Sequence, residues 1–494
     1  LGQRVGYIGS LTHALSQEIR SDEVRSFAMW NGTATEVADR YTGSTGRMSV
    51  LWGGLFNLSS MLGARSRISL NNTYTRSADN EARVESGMDE NSGYLLDIQR
   101  LRYVERSVYS SQLAGEHELP NGHRLDWALS AAGVTRVEPD RSEVVYAIDA
   151  PGAAPFLFGV PEASVRTFGD LDERSYDARG DYTLRFGRPG REHMIKFGGT
   201  VRLTERDAVN NSYDIESTLS REDRELRPEE IFDGRYAGTS DNVFRVHQLA
   251  QGGSYEATDV IGAGYAMMDY QLGERLRIIG GARVERSALE VKYQELFGRP
   301  AKVTPEYTDV LPSLAVNFKP SERQNLRFAV SQTLARPEYR EKVPINQRDV
   351  LGGEQFRGNP ALRRSLIQNA DVRWEWYPGP AEVLSFGVFA KRFEDPIERV
   401  YRGTSGTRVT TFENAKSAQN YGVELEMRKG LGFLSERLSG FTAGTNVTVM
   451  HSEIDLSDVG AGSTDPSRAM VGQAPYVVNA SLGYTSARGR ANVT

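Results

Sequence analysis

The feature that most constrains this chain is a period-two alternation of apolar and polar side chains, repeated along its length in segments of about ten residues. It is clearest at 420–428, where Tyr421, Val423, Leu425 and Met427 share one face and Asn420, Gly422, Glu424, Glu426 and Arg428 share the other. The same split places Leu326, Phe328 and Val330 opposite Asn325, Arg327 and Ser331. At 366–377, Ala370, Val372, Trp374 and Trp376 oppose Asn369, Asp371, Arg373 and Glu375. A soluble sandwich does not turn rows of charge inward, because a buried unpaired charge is costly. One face therefore suits hydrocarbon and the other an enclosed aqueous space, which predicts a transmembrane β-barrel.

The links between segments fall into two sets. Tight ones, rich in Gly, Pro, Asn and charge, lie at 61–65, 120–123, 187–191, 272–274, 319–323, 378–381 and 488–489. Long polar ones lie at about 21–45, 78–93, 138–172, 206–255, 292–306, 335–364, 403–417 and 454–473. Short turns at one end and long loops at the other match the periplasmic and extracellular ends of an outer-membrane barrel. Counting segments gives about sixteen complete strands and the start of a seventeenth, all in one domain over 1–494. Mean hydropathy is only −0.47, as expected when lipid-facing residues alternate with wet ones. No apolar run reaches the roughly 18 residues of a spanning helix.

Composition removes other classes. The chain has no cysteine and a net charge of −6, so neither a disulfide scaffold nor a basic nucleic-acid surface is indicated. His13, His117, His123, His193, His247 and His451 are scattered without metal-ligand spacing. No phosphate loop, nucleophile elbow or other catalytic constellation is present, so no enzyme, cofactor or metal site is expected.

Three further passages carry a family resemblance. Leu334-Ala335-Arg336-Pro337-Glu338-Tyr339 followed by Gly358-Asn359-Pro360-Ala361-Leu362 resembles the R-P-x-Y and G-N-P-x-L arrangement of TonB-dependent receptors. Asn420-Tyr421-Gly422-Val423-Glu424-Leu425-Glu426 resembles that family's N-Y-G-x-E-x-E strand. Near the start, the runs at 5–11, 53–58 and 102–107 resemble it too. The resemblance implies a barrel of about 22 strands, a plug domain, a TonB box and an aromatic C-terminal residue; plug, box and last strands are not found in the sequence. It also implies the outer membrane of a Gram-negative-type bacterium, with lipid and lipopolysaccharide, the plug, the TonB complex and a small solute as partners. The implied function is import of a scarce solute such as a siderophore or oligosaccharide. A general diffusion porin and a secreted β-rich carbohydrate-binding or adhesion protein are the alternatives.

Candidate site residues follow from position. Arg336, Tyr339, Arg357 and Asn359 in the 335–364 loop either touch solute or shape the loop around its prolines and Gly358. The loop aromatics Trp30, Tyr213, Phe232 and Tyr236 are candidates for stacking on a ligand. Arg327, Asp371, Arg373, Glu375, Glu424, Glu426 and Arg428 face the lumen, where they either bond a plug or are simply hydrated.

Overall fold

A computed structural model describes residues 5–30, 35–89, 92–150, 152–188, 191–236, 243–249, 253–295, 298–348, 355–404, 407–459, 466–486 and 489–493. Alternation becomes architecture through one antiparallel sheet of 21 strands whose long members pair in chain order. Seventeen strands make its wall: β1 Val5–Trp30, β2 Thr35–Met61, β3 Ser66–Asp89, β4 Tyr94–Glu118, β5 Arg124–Ile148, β6 Ser164–Arg188 and β7 Arg191–Ser217. They continue as β8 Tyr255–Leu272, β9 Leu276–Gln294, β10 Glu306–Ser321, β11 Gln324–Ala335, β12 Ser365–Trp376 and β13 Val383–Glu394. The wall is completed by β14 Ser417–Gly430, β15 Phe441–Asp455, β16 Tyr476–Ser486 and β17 Gly489–Val493. Short strands Phe156–Leu157, Phe244–Gln248, Pro300–Val303 and Ser467–Arg468 extend the sheet within the outer connections. No helix among the described residues is long and apolar enough to cross a membrane.

Register turns the alternation into two faces. Phe328, Val372, Val388, Val423, Val449 and Tyr476 lie side by side across β11 to β16. Each is substantially exposed, as a lipid-facing row must be. Three residues along, Asn325, Glu375, Ser385, Glu426 and Asn446 form the parallel row on the inner face. Aromatic pairs stand on the outer face, including His13 with Trp52, Tyr421 with His451 and Phe441 with Tyr484. Rings at headgroup depth keep one edge in hydrocarbon and one in water.

The tight links fall where expected. Gly63 and Gly273 turn two of them with φ of 78° and 69°, a region a side chain resists. Arg488 of the last predicted link lies outside the described residues. One connection at the same end is longer than the rest: Leu431–Phe433 and Glu436–Leu438 form two 3-10 turns between β14 and β15.

Strand length departs from the expected ten or so residues. Strands β1 to β7 run 24 to 27 residues, far beyond the 9–11 or so that a bilayer requires. Three of the predicted long loops, 21–45, 78–93 and 138–172, are therefore hairpins that continue the ladder into water and are largely strand, as is about half of 292–306. The 403–417 stretch is also largely strand but in a separate sheet, and the described residues of 454–473 are strand only at the end of β15 and at Ser467–Arg468. Above the membrane both faces meet water or other protein, so the two-sided alternation fades while backbone pairing persists.

Packing above the membrane shows the same change. One extra residue in β5 between Val137 and Ser142, a register shift against both β4 and β6, reverses which parity of β5 faces inward. Val145 and Ala147 then pack inward on Tyr41, Leu96, Ile98 and Phe156. Val144 and Tyr146 pack outward on Leu219 and Ile231 of the next excursion. The run Val144-Val145-Tyr146-Ala147 is apolar without alternation because both its faces are covered.

Candidate functional site

The 335–364 excursion leaves β11 and turns back against the inner wall. Arg336 donates from Nη2 to Glu285 at 2.6 Å and from Nε to Ser287 Oγ at 3.3 Å, both on β9. The Tyr339 hydroxyl donates to Asp259 of β8 at 3.1 Å, while the Arg206 guanidinium of β7 lies 4.7 Å over its ring. Val343 is buried against Ala208, Tyr255, Ala257, Val291 and Tyr293, with Tyr339 and Ile345 packed alongside. Burial, reinforced by Asp259, raises the Tyr339 phenol above its usual range, so it stays a proton donor.

A lysine holds the base of this excursion. Lys342 is 2% exposed and donates to the carbonyls of Leu362 at 2.6 Å and Pro360 at 3.3 Å. Burial lowers its ammonium below the ordinary lysine value. Asn359 donates its backbone N–H to Glu341 O at 2.6 Å and its side-chain amide to Phe412 O at 3.0 Å. A Cβ on Gly358 would stand 2.3 Å from Val343 O and 2.7 Å from Arg340 O, so only glycine fits this crossing.

Beyond it lies a second sheet absent from the sequence reading. Strands Asn346–Arg348 and Gln355–Arg357 pair with each other, and the latter runs parallel to Thr407–Asn414, which pairs with Ile397–Thr404. Two excursions far apart in sequence thus share one hydrogen-bonded body. Arg340 over Phe356 at 4.7 Å and Phe356 against Phe412 at 5.5 Å bind it further.

At the opposite end of the lumen five of the seven inward residues gather. Glu375 is bonded by Arg327 at 3.0 Å, by Arg373 at 3.2 Å and by the Tyr377 hydroxyl at 3.0 Å. Arg373 also meets Glu426 at 2.7 Å and Glu424 at 3.8 Å. Arg428 stands apart, donating to Ala381 O at 2.8 Å, and Asp371 sits in register between Ala329 and Phe389.

The solute candidates separate by side of the wall. Arg336 and Tyr339 are inside; Asn359 is bound into the loop and Arg357 is exposed at the end of the second sheet. Tyr213 lies outside, against Phe168 at 5.9 Å. Phe232 and Tyr236 both pack on Phe244, at 5.5 and 6.1 Å. They sit beside the short helices α1 (Arg221–Arg224) and α2 (Pro228–Ile231), on the side facing Val144 and Tyr146. Trp30 ends β1 opposite Thr35, and its side chain lies outside what is described. Asp259, Glu285, Arg206 and Lys342 were not legible as partners, since each is tens of residues from what it contacts.

A greasy outer face, an ion-paired inner face and ordered outer excursions define a large outer-membrane β-barrel. Residues 25–492 match the family described as TonB dependent receptor-like, beta-barrel, and the chain belongs to that family. It lies in the outer membrane, as that family does. No curated protein matches it in sequence. Among solved structures it resembles the copper transporter OprC, with a TM-score of 0.58 at 13% identity over 97 to 98% of this chain for this and the next two; the match is 98% here and covers 65% of OprC. The Serratia marcescens hemophore receptor HasR gives 0.54 at 13% identity, covering 98% of this chain and 71% of HasR. The unliganded ferric citrate transporter FecA gives 0.52 at 11% identity, covering 97% of this chain and 64% of FecA. The chain thus spans just under two thirds of FecA and OprC.

Proposed function

We propose that residues 1–494 are the barrel part of an energy-coupled importer whose plug belongs to the full-length protein. The observation that carries this is the inner face: a polar, ion-paired wall of this many strands, which on closing would surround more space than its own side chains fill. Such a barrel leaks unless something occupies it. The Arg327, Arg373, Glu375, Glu424 and Glu426 network, and separately Asp371 and Arg428, offer charged partners to a plug. Arg336, Tyr339, Arg357 and Asn359 line or shape the outer approach and are the solute contacts we favour over Trp30, Tyr213, Phe232 and Tyr236. The solute is a scarce nutrient complex, either a siderophore, haem or metal like those that similar structures are named for or an oligosaccharide, and TonB supplies the energy.

The test is uptake by cells expressing the full-length protein, with and without TonB, on a panel of iron chelates, haem, cobalamin and oligosaccharides. One solute class entering only when TonB is present is the expected result. Indiscriminate entry that ignores TonB would instead establish the diffusion porin.

A further inference from the structure

Two arginines on the outer face stand opposite each other across the tight turn between β6 and β7. Arg188 and Arg191 are direct cross-strand partners, both exposed, and neither side chain is bonded to another described residue. Gly187 holds the two strands close with φ of 110°, since a Cβ there would run into the Arg191 carbonyl. In the same outward row Phe186 lies opposite His193, and Tyr182 opposite Phe197. The His193 ring stacks on Tyr270 of β8 at 4.2 Å and meets Phe186 at 5.3 Å. Its Nδ1 accepts the Gln271 backbone N–H at 3.1 Å, which selects the tautomer that carries the proton on Nε2. That N–H has no partner among the described residues.

No carboxylate occupies an outward strand position at this end of β6, β7 and β8. Alternation sends Asp181, Glu192 and Asp269 to the inner face, where Lys196 lies 3.6 Å from Asp181 and Arg277 pairs with Asp269. The neighbouring histidines are already committed: the Trp127 indole donates to His117 Nε2 at 2.9 Å, and His123 Nδ1 shares a hydrogen bond of 2.9 Å with Tyr182. The patch therefore holds two unpaired positive charges and one unspent donor, beside an apolar floor in which Phe186, Phe197, Met268 and Leu272 are exposed. Turns this short lie at the periplasmic end of such a barrel, where interfacial rings mark headgroup depth. A zwitterionic headgroup brings an ammonium that needs a carboxylate, and this row has none; an anionic headgroup brings only the phosphate.

We propose that this patch is a binding site for an anionic phospholipid of the periplasmic leaflet. The phosphodiester sits between the Arg188 and Arg191 guanidiniums, whose forks match paired phosphate oxygens. His193 supplies a further donor, and the acyl chains lie along Phe186, Phe197 and Met268. The claim needs only a lipid-facing outer wall and is independent of what the barrel imports.

The probes are phosphatidylglycerol and phosphatidylethanolamine, added in equal amounts to the full-length receptor in detergent micelles, with native mass spectrometry reading the affinity of the first lipid bound. Phosphatidylglycerol should bind roughly fivefold more tightly or better, the scale of one arginine beside an anionic headgroup. The ratio should fall as ammonium acetate is raised. Changing Arg188→Gln with Arg191→Gln should bring it close to one, while the Arg188→Lys, Arg191→Lys pair keeps most of it. Arg174→Gln, on the same face nearer the other end of β6 and paired with Asp172 at 3.0 Å, should change nothing. Equal affinity for the two lipids in the native protein, a ratio that the Gln pair leaves intact, or an equal loss in Arg174→Gln would overturn the proposal. If the Gln pair does not fold, a native ratio that ignores salt overturns it equally. Displacement of the bound lipid by millimolar inorganic phosphate would assign the arginines to a free anion and overturn the lipid site.

Discussion

At the residue scale the wall is defined by which side of the pleat a side chain occupies. Val423 and Glu424 are neighbours in sequence, yet one joins an exposed apolar row and the other meets Arg373 inside. Val423→Arg is expected to cost about 2–4 kcal/mol, the penalty for a cation at mid-bilayer on the lipid face. Thr448→Arg, on the inner side beside Glu424, should cost much less. Equilibrium refolding into lipid vesicles measures both, and equal penalties would invalidate the assignment of faces. Gly358 gives a second case. Gly358→Ala pushes a methyl into three carbonyl oxygens and should cost roughly 1–3 kcal/mol by overpacking. The loss should appear as faster hydrogen exchange at 340–345 and 358–362.

At the element scale the question is what holds the outer excursions. The 336–345 segment is fixed to the inner wall by Tyr339 on Asp259 and Arg336 on Glu285, and to its own return path by Lys342. Tyr339→Phe removes one hydrogen bond and leaves Asp259 without that donor, a change worth about 1–3 kcal/mol locally. Exchange of the 336–345 amides should rise severalfold while the lower parts of β8 and β9 keep their protection. Parallel pairing of Gln355–Arg357 with the 409–411 stretch couples two excursions. Shortening the Ile397–Thr404 and Thr407–Asn414 hairpin at its tip should therefore loosen 355–357 as well. Exchange confined to the shortened hairpin would show that the two move independently.

At the scale of the whole molecule the decisive property is being apolar outside and polar within. Trp52, Trp127, Trp374 and Trp376 all fall on the outer side of the pleat. In vesicles made with brominated lipids, tryptophan emission should be quenched strongly, while acrylamide from the aqueous phase should quench it weakly. The opposite pattern is what a soluble sheet with a dry core would give. Family membership over residues 25–492 supports the same picture from an independent direction.

The sequence alone determined the strand direction, the two faces, the inner turns and the approximate strand count. Each of these follows from local rules: side chains alternate every residue in extended backbone, and lipid and water select opposite chemistry for the two sides. Only the tertiary structure decided the length of the strands above the membrane, the second sheet at 346–348, 355–357, 397–404 and 407–414, and the partners of Arg336, Tyr339 and Lys342. Outside the bilayer no solvent difference imposes a pattern, so a ladder there looks in sequence like a polar loop. The contacts of the site join strands and loops about 20 to 80 residues apart, and distance along the chain carries no signal of which charge will meet which.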